Sequence, residues 1–149
     1  MGSLDWGLFS DAVGPRARLL RNMLHARSIG VSEPFGLPTG SLTIMSLILS
    51  NPGNSQKQLA DWSGMTSPAL VGVVDELENR GLVTRDRLPA DRRRNSLVLT
   101  DKGKRTTEAM ISAVSVIEAP IRDELGPQDM QQLIVLVDRA LAALQQRNA

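Results

Sequence analysis

TSPALVGVVDELENRGLVTRDRLPADRRRNSLVLT, residues Thr66 to Thr100, decides the fold. Leu70, Val73, Val74 and Leu77 recur at three- and four-residue steps, which predicts an amphipathic helix. Thr66 can cap its N-terminus, and Pro68 sits in the first turn, where a missing N–H costs nothing. Gly81 marks its end. Leu82-Val83-Thr84-Arg85 is short and β-prone. A polar tip follows, Leu88-Pro89-Ala90-Asp91-Arg92-Arg93-Arg94-Asn95. Ser96-Leu97-Val98-Leu99-Thr100 returns as a strand with alternating apolar residues. The stretch therefore reads as a helix and then a β-hairpin whose tip carries three consecutive arginines.

Just upstream, Ser55 opens a short helix, Gln56 to Ser63, with Leu59 and Ala60 toward the core. Gly64 then makes a tight turn into Thr66. Two short helices joined this way form the helix-turn-helix pattern, whose second helix enters the major groove with its N-terminal residues facing bases. Many all-α proteins contain such a pair. A basic hairpin directly after it makes the combination a winged helix-turn-helix. The expected fold is mainly α with a small β-hairpin wing, together with terminal helices that form a dimerisation region.

Those terminal helices flank the winged region. Leu8, Ala12, Leu19, Leu20, Met23 and Leu24 suggest a helix to about Ile29, which Gly14-Pro15 would split or kink. Gly30 to Pro38 reads as a loop. Thr39 can cap a helix from Ser41 to Ser50, apolar nearly all round and therefore central. Asn51-Pro52-Gly53-Asn54 is a turn. Beyond the hairpin, Thr100 caps a helix from Asp101 to about Ala119, with Ala109, Met110, Ala113, Val114 and Ile117 as its stripe. Pro120 would kink or interrupt it, and Gly126-Pro127 restarts a last helix. There Met130, Leu133, Leu136, Val137, Ala140, Leu141 and Leu144 make more apolar surface than one small winged domain covers. Leaving it wet would cost ~25 cal/mol per Å2. It is expected to pack on the first helix and on a second subunit; packing within the chain is the alternative. In this reading residues 8–38 and 120–149 are dimerisation helices, and 39–119 hold the winged helix and the connecting long helix.

Composition narrows the chemistry. With no cysteine there is no disulfide or thiolate metal site, and a single histidine disfavours a protein-only zinc site. No apolar run reaches the ~18–20 residues of a membrane span and no signal peptide is evident, so a cytoplasmic protein is expected. No nucleophile–base arrangement, phosphate loop or metal spacing occurs, so neither catalysis nor a cofactor or metal is expected. Glu76 and Glu78 sit on a helix without pocket chemistry around them. The net charge of +1 hides an asymmetry: Arg80 to Arg105 holds nine basic and three acidic residues, a net +6. Such a segment suggests a localised polyanion-binding face, or a solvated hairpin with salt bridges.

The hairpin and its flanks resemble the MarR family of bacterial regulators. The residues are Leu77-Glu78-Asn79-Arg80-Gly81-Leu82-Val83-Thr84-Arg85, then Asp91-Arg92-Arg93, then Leu99-Thr100-Asp101-Lys102-Gly103. They are similar to the family's LExxGLVxR, DRR and LTxxG elements at the usual spacing. The resemblance implies a winged-helix homodimer on double-stranded DNA with a pseudo-palindromic operator. It usually implies a repressor, often released by a small anionic aromatic effector. The rival reading is a winged-helix protein-interaction module that has lost specific DNA reading.

The expected DNA-binding set is Ser55, Gln56, Thr66, Ser67, Pro68, Ala69, Gly72, Arg85, Asp91, Arg92, Arg93, Arg94 and Asn95. By the resemblance Arg93 reaches the minor groove, whose narrow form concentrates negative potential. Asp91 can pair with an arginine and fix its direction. Arg92, Arg94 and Asn95 would meet phosphates or the groove edge. The exposed start of the recognition helix departs from many relatives: no side chain there can contact guanine bidentately. Base reading would rest on Thr66, Ser67, small apolar contacts or DNA shape. Arg16, Arg21 and His25 on the first helix are candidate effector contacts, against a solvated face as the alternative. Trp6 and Phe9 could cover a dimer seam or a ligand, and Trp62 reads as packing.

Overall fold

The structure is a computed structural model that describes residues 5–87 and 95–145. A short 3-10 turn, Gly7–Phe9, precedes α1 (Val13–Ser32), and a second, Glu33–Phe35, follows it. Then come α2 (Ser41–Ser50), α3 (Gln56–Ser63), α4 (Ser67–Asn79), β1 (Val83–Arg87), β2 (Asn95–Leu99) and α5 (Asp101–Gln145). The chain divides into two compact units, residues 25–114 and residues 1–24 with 115–149.

The first unit holds the expected winged helix-turn-helix. Leu70, Val73, Val74 and Leu77 are all buried, as their spacing predicts. They meet Ile44, Met45 and Ile48 of α2 and Leu59 and Ala60 of α3 in one core. α2 is as central as its composition suggests: Ile44 and Met45 are fully buried. Thr66 accepts a bond from the Ala69 N–H at 3.4 Å, capping α4. Ser55 and Gln58 form a reciprocal capping box on α3. β1 and β2 pair antiparallel in the register Val83↔Leu99, Arg85↔Leu97, Arg87↔Asn95. Leu97 and Leu99 face the core.

Four local expectations are corrected. Gly40, not Thr39, caps α2, at φ 89° and with no side-chain bond. Gly14-Pro15 does not split α1 but lies in its first turn. There the absent proline N–H is one of the donors no helix satisfies. α1 continues past Ile29 to Ser32, shortening the expected loop. Pro120 sits within α5 at helical backbone angles, and the break falls at Gly126, with φ 69° and ψ 173°. That region of backbone space is almost closed to residues with a Cβ, so the glycine takes the bend and the helix resumes at Pro127.

In the unit formed by residues 1–24 and 115–149, the N-terminal turn is tied down by Arg16. Its guanidinium lies 4.5 Å from the Trp6 ring centroid. It also donates to the Phe9 and Ala12 carbonyls at 2.9 and 2.7 Å. The single chain leaves the last apolar stripe open: Val137, Leu141 and Leu144 are 47%, 54% and 65% exposed. Leu19, Leu20 and Met23 on α1 are exposed as well.

Candidate nucleic-acid interface

The helix-turn-helix presents a coherent surface. Thr66, Ser67, Pro68, Ala69, Val71 and Gly72 are exposed, while the residues between them anchor α4 in the core. Small side chains there leave backbone and methyl groups as the outward chemistry. Ser55 and Gln56 are half-buried beside this surface. The Ser55 hydroxyl is engaged as the cap of α3, accepting from the Gln58 N–H at 3.3 Å. The expectations for Asp91, Arg92, Arg93 and Arg94 fall outside the described residues. Asn95 is described only as the first residue of β2.

The base of the wing is held by a knot. Thr100 Oγ1 accepts from the Gly103 N–H at 3.0 Å, capping α5 as expected, and donates to the Gly81 carbonyl at 2.7 Å. The Thr100 N–H donates to the Leu82 carbonyl at 3.0 Å. Lys102 Nζ donates to the Arg80 carbonyl at 2.8 Å, satisfying a group at the end of α4. Gly103 packs so closely on Leu82 that a Cβ would stand 2.0 Å from its carbonyl oxygen. The Gly81-Leu82 and Leu99-to-Gly103 segments are thus two halves of one junction joining α4, the hairpin and α5.

Arg85, one of the expected DNA contacts, is engaged within the chain. Its guanidinium donates to Asp75 Oδ1 at 2.5 Å and to Glu78 Oε2 at 2.6 Å, both on α4. Arg80 pairs with Glu76 at 2.6 Å. Two of the nine positive charges counted from sequence are therefore met by acids lying just before that window. Sequence reasoning named Glu78 as a motif residue and paired neither it nor Asp75 with Arg85. Their signal was available: acids three residues apart share one helix face.

A cavity of about 430 Å3 lies within residues 25–114, bordered by His25, Ser28, Leu37, Ser41, Met110 and Val114 among others. The Ser41 side chain is buried, and its Oγ has no hydrogen-bond partner. Of the three candidate effector contacts, His25 borders this cavity. Arg16 and Arg21 belong to the other unit, and Arg16 is occupied by Trp6 and two carbonyls. Among the described residues no cluster of His, Asp or Glu could hold a metal ion. No described helix is long and apolar enough to cross a membrane.

Residues 37–94 match the MarR family model. Over that stretch the winged helix is of the MarR type. The solved MarR-type structures the chain is similar to extend the likeness to nearly its whole length. The transcriptional repressor CouR bound to a 23-mer DNA duplex is 28% identical, with a TM-score of 0.77. The match covers 93% of this chain and 99% of that one. CouR from Rhodococcus jostii RHA1 bound to p-coumaroyl-CoA is 25% identical, with a TM-score of 0.80 over 92% and 96% of the two chains. The PcaV regulator from Streptomyces coelicolor, in complex with its natural ligand, shares the fold at 22% identity. Its TM-score is 0.70 over 97% and 99% of the chains. The winged-helix region of this chain is thus similar to the MarR family, and the chain as a whole to solved transcriptional repressors of that type.

Proposed function

We propose that this protein is a transcriptional regulator, a homodimeric repressor that binds a pseudo-palindromic operator and is released by a small ligand. Its activity is binding, without catalysis, on double-stranded DNA in the cytoplasm. The observation that carries the reading is the exposed face Thr66–Ala69 with Gly72, capped and anchored beside a hairpin whose tip sequence is Asp91-Arg92-Arg93-Arg94. The N-terminus of α4 would enter the major groove and Arg93, oriented by Asp91, the flanking minor groove. Arg92, Arg94 and Asn95 would meet phosphates. Residues 8–38 and 120–149 would join two copies, with their recognition helices about one helical turn, roughly 10 base pairs, apart. The open stripe Val137, Leu141, Leu144 supports that pairing. An effector would occupy the cavity bordered by His25 and Ser41, in keeping with the ligand-bound CouR structure.

A salt-titrated binding assay tests this reading. Affinity for a random-sequence duplex should fall steeply between ~50 and ~200 mM salt, by orders of magnitude if each half of the dimer makes several phosphate contacts. Arg93→Ala should cost ~1–3 kcal/mol per site, the scale of a specific contact. The loss should be greater on A·T-rich flanks than that of Arg92→Ala. A chain that ignores the duplex at low salt would instead be a winged-helix interaction module.

A further inference from the structure

We propose that Arg85 is a positioning residue that fixes the wing against the recognition helix, and not itself a DNA ligand; this rests on the DNA-binding reading above. The strand's own periodicity starts the case. Successive strand residues face opposite ways, so Arg85 shares a face with buried Val83, and it pairs with buried Leu97. Its stem therefore runs on the inner side of the hairpin, toward α4. The charged head then turns outward to the nearest acids, as long basic side chains do.

Those acids sit one turn apart on α4, and the guanidinium takes one with each amino group, at 2.5 and 2.6 Å. A planar, two-pronged donor between two carboxylates constrains direction as well as distance. All three side chains are part-exposed, at 32% for Arg85, 51% for Asp75 and 35% for Glu78. Exposed pairs add little to global stability. What this one supplies is the angle between the wing and the helix that would read bases. The arginine's single positive charge also offsets half of the negative charge that Asp75 and Glu78 place on the recognition helix, which would otherwise repel phosphates.

The two roles for Arg85 make opposite forecasts for the double variant Asp75→Asn/Glu78→Gln. Removing two negative charges and freeing an arginine should tighten DNA binding if Arg85 can reach a phosphate. If Arg85 positions the wing, the same variant should bind on the order of tenfold more weakly, despite its more favourable charge. Arg85→Ala should lose a similar factor, and the triple variant should be no worse than the weaker of the two, because the acids act through the arginine. Melting temperatures should stay within a few degrees of the parent, which separates positioning from a general loss of fold.

Amide hydrogen exchange on the free protein gives a second readout that needs no DNA. In all three variants Thr84, Arg85, Leu97 and Val98 should exchange faster, while Ile44 to Ile48 of α2 stay protected. If the parent fails to bind the duplex, the functional reading falls and the exchange result still decides whether the clamp exists. Tighter binding by Asp75→Asn/Glu78→Gln, or unchanged exchange in the hairpin, would overturn the positioning role.

Discussion

Gly103→Ala is expected to lower the melting temperature by about 10 °C or more. The added Cβ would stand 2.0 Å from the Leu82 carbonyl oxygen and 3.0 Å from its carbon. Both are backbone atoms, so no rotamer change relieves the contact. The same carbonyl accepts from the Thr100 N–H at 3.0 Å and from the Thr100 hydroxyl at 3.3 Å. Moving it aside would loosen the junction of α4, hairpin and α5 together. The overpacking cost of ~1–3 kcal/mol, or more against rigid backbone, outweighs the gain of ~1 kcal/mol that alanine brings to an ordinary helix position. The sign decides the matter. A variant as stable as its parent, or more so, would mean that Gly103 and Leu82 are not in this contact. Thermal unfolding followed by circular dichroism is sufficient.

Leu141→Glu is expected to turn the proposed dimer into monomers. Leu141 is 54% exposed in the single chain, and Val137 and Leu144 lie within a turn of it. For a chain that works alone, a charge at such a site would change stability by no more than ~0.5 kcal/mol. In a two-fold dimer the substitution enters the interface twice. Burying a carboxylate there, at an anchor position, should cost ~2 kcal/mol or more per copy. Sedimentation should show the shift, and operator affinity should fall by orders of magnitude, because two half-sites would no longer be held together. An unchanged dimer would place the interface elsewhere.

The winged helix was legible in the sequence because its signals are local and mutually consistent. Four buried residues at helical spacing, a threonine cap and a proline in the first turn all specify α4. The positions of the breaks were less legible. Proline suggested interruptions at Pro15 and Pro120, yet Pro15 falls in a first turn and Pro120 stays helical. Whether a proline ends a helix depends on its place along it and on what surrounds the freed carbonyl, which local propensity does not encode. At the candidate interface, the exposed N-terminal face of α4 could be read from periodicity. The state of Arg85 could not be read from charge counting alone, since its partners lie seven and ten residues back and meet it only once strand and helix pack. Gly103 was visible as a motif residue, but its reason, the approach of Leu82 from 21 positions earlier, is purely tertiary.

The knot at the base of the wing separates the length of the tip from the stability of the frame. The chain leaves the hairpin at Arg87 and returns at Asn95, with seven residues between them. Thr100, Lys102 and Gly103 fasten the far end of β2 and the start of α5 to Arg80, Gly81 and Leu82. With both strands so anchored, a longer tip costs only chain-closure entropy, about 0.6 kcal/mol for each doubling of its length. In evolutionary terms the tip is an interchangeable part. Arginines can be added, lost or moved along it, with no compensating change in the core beneath.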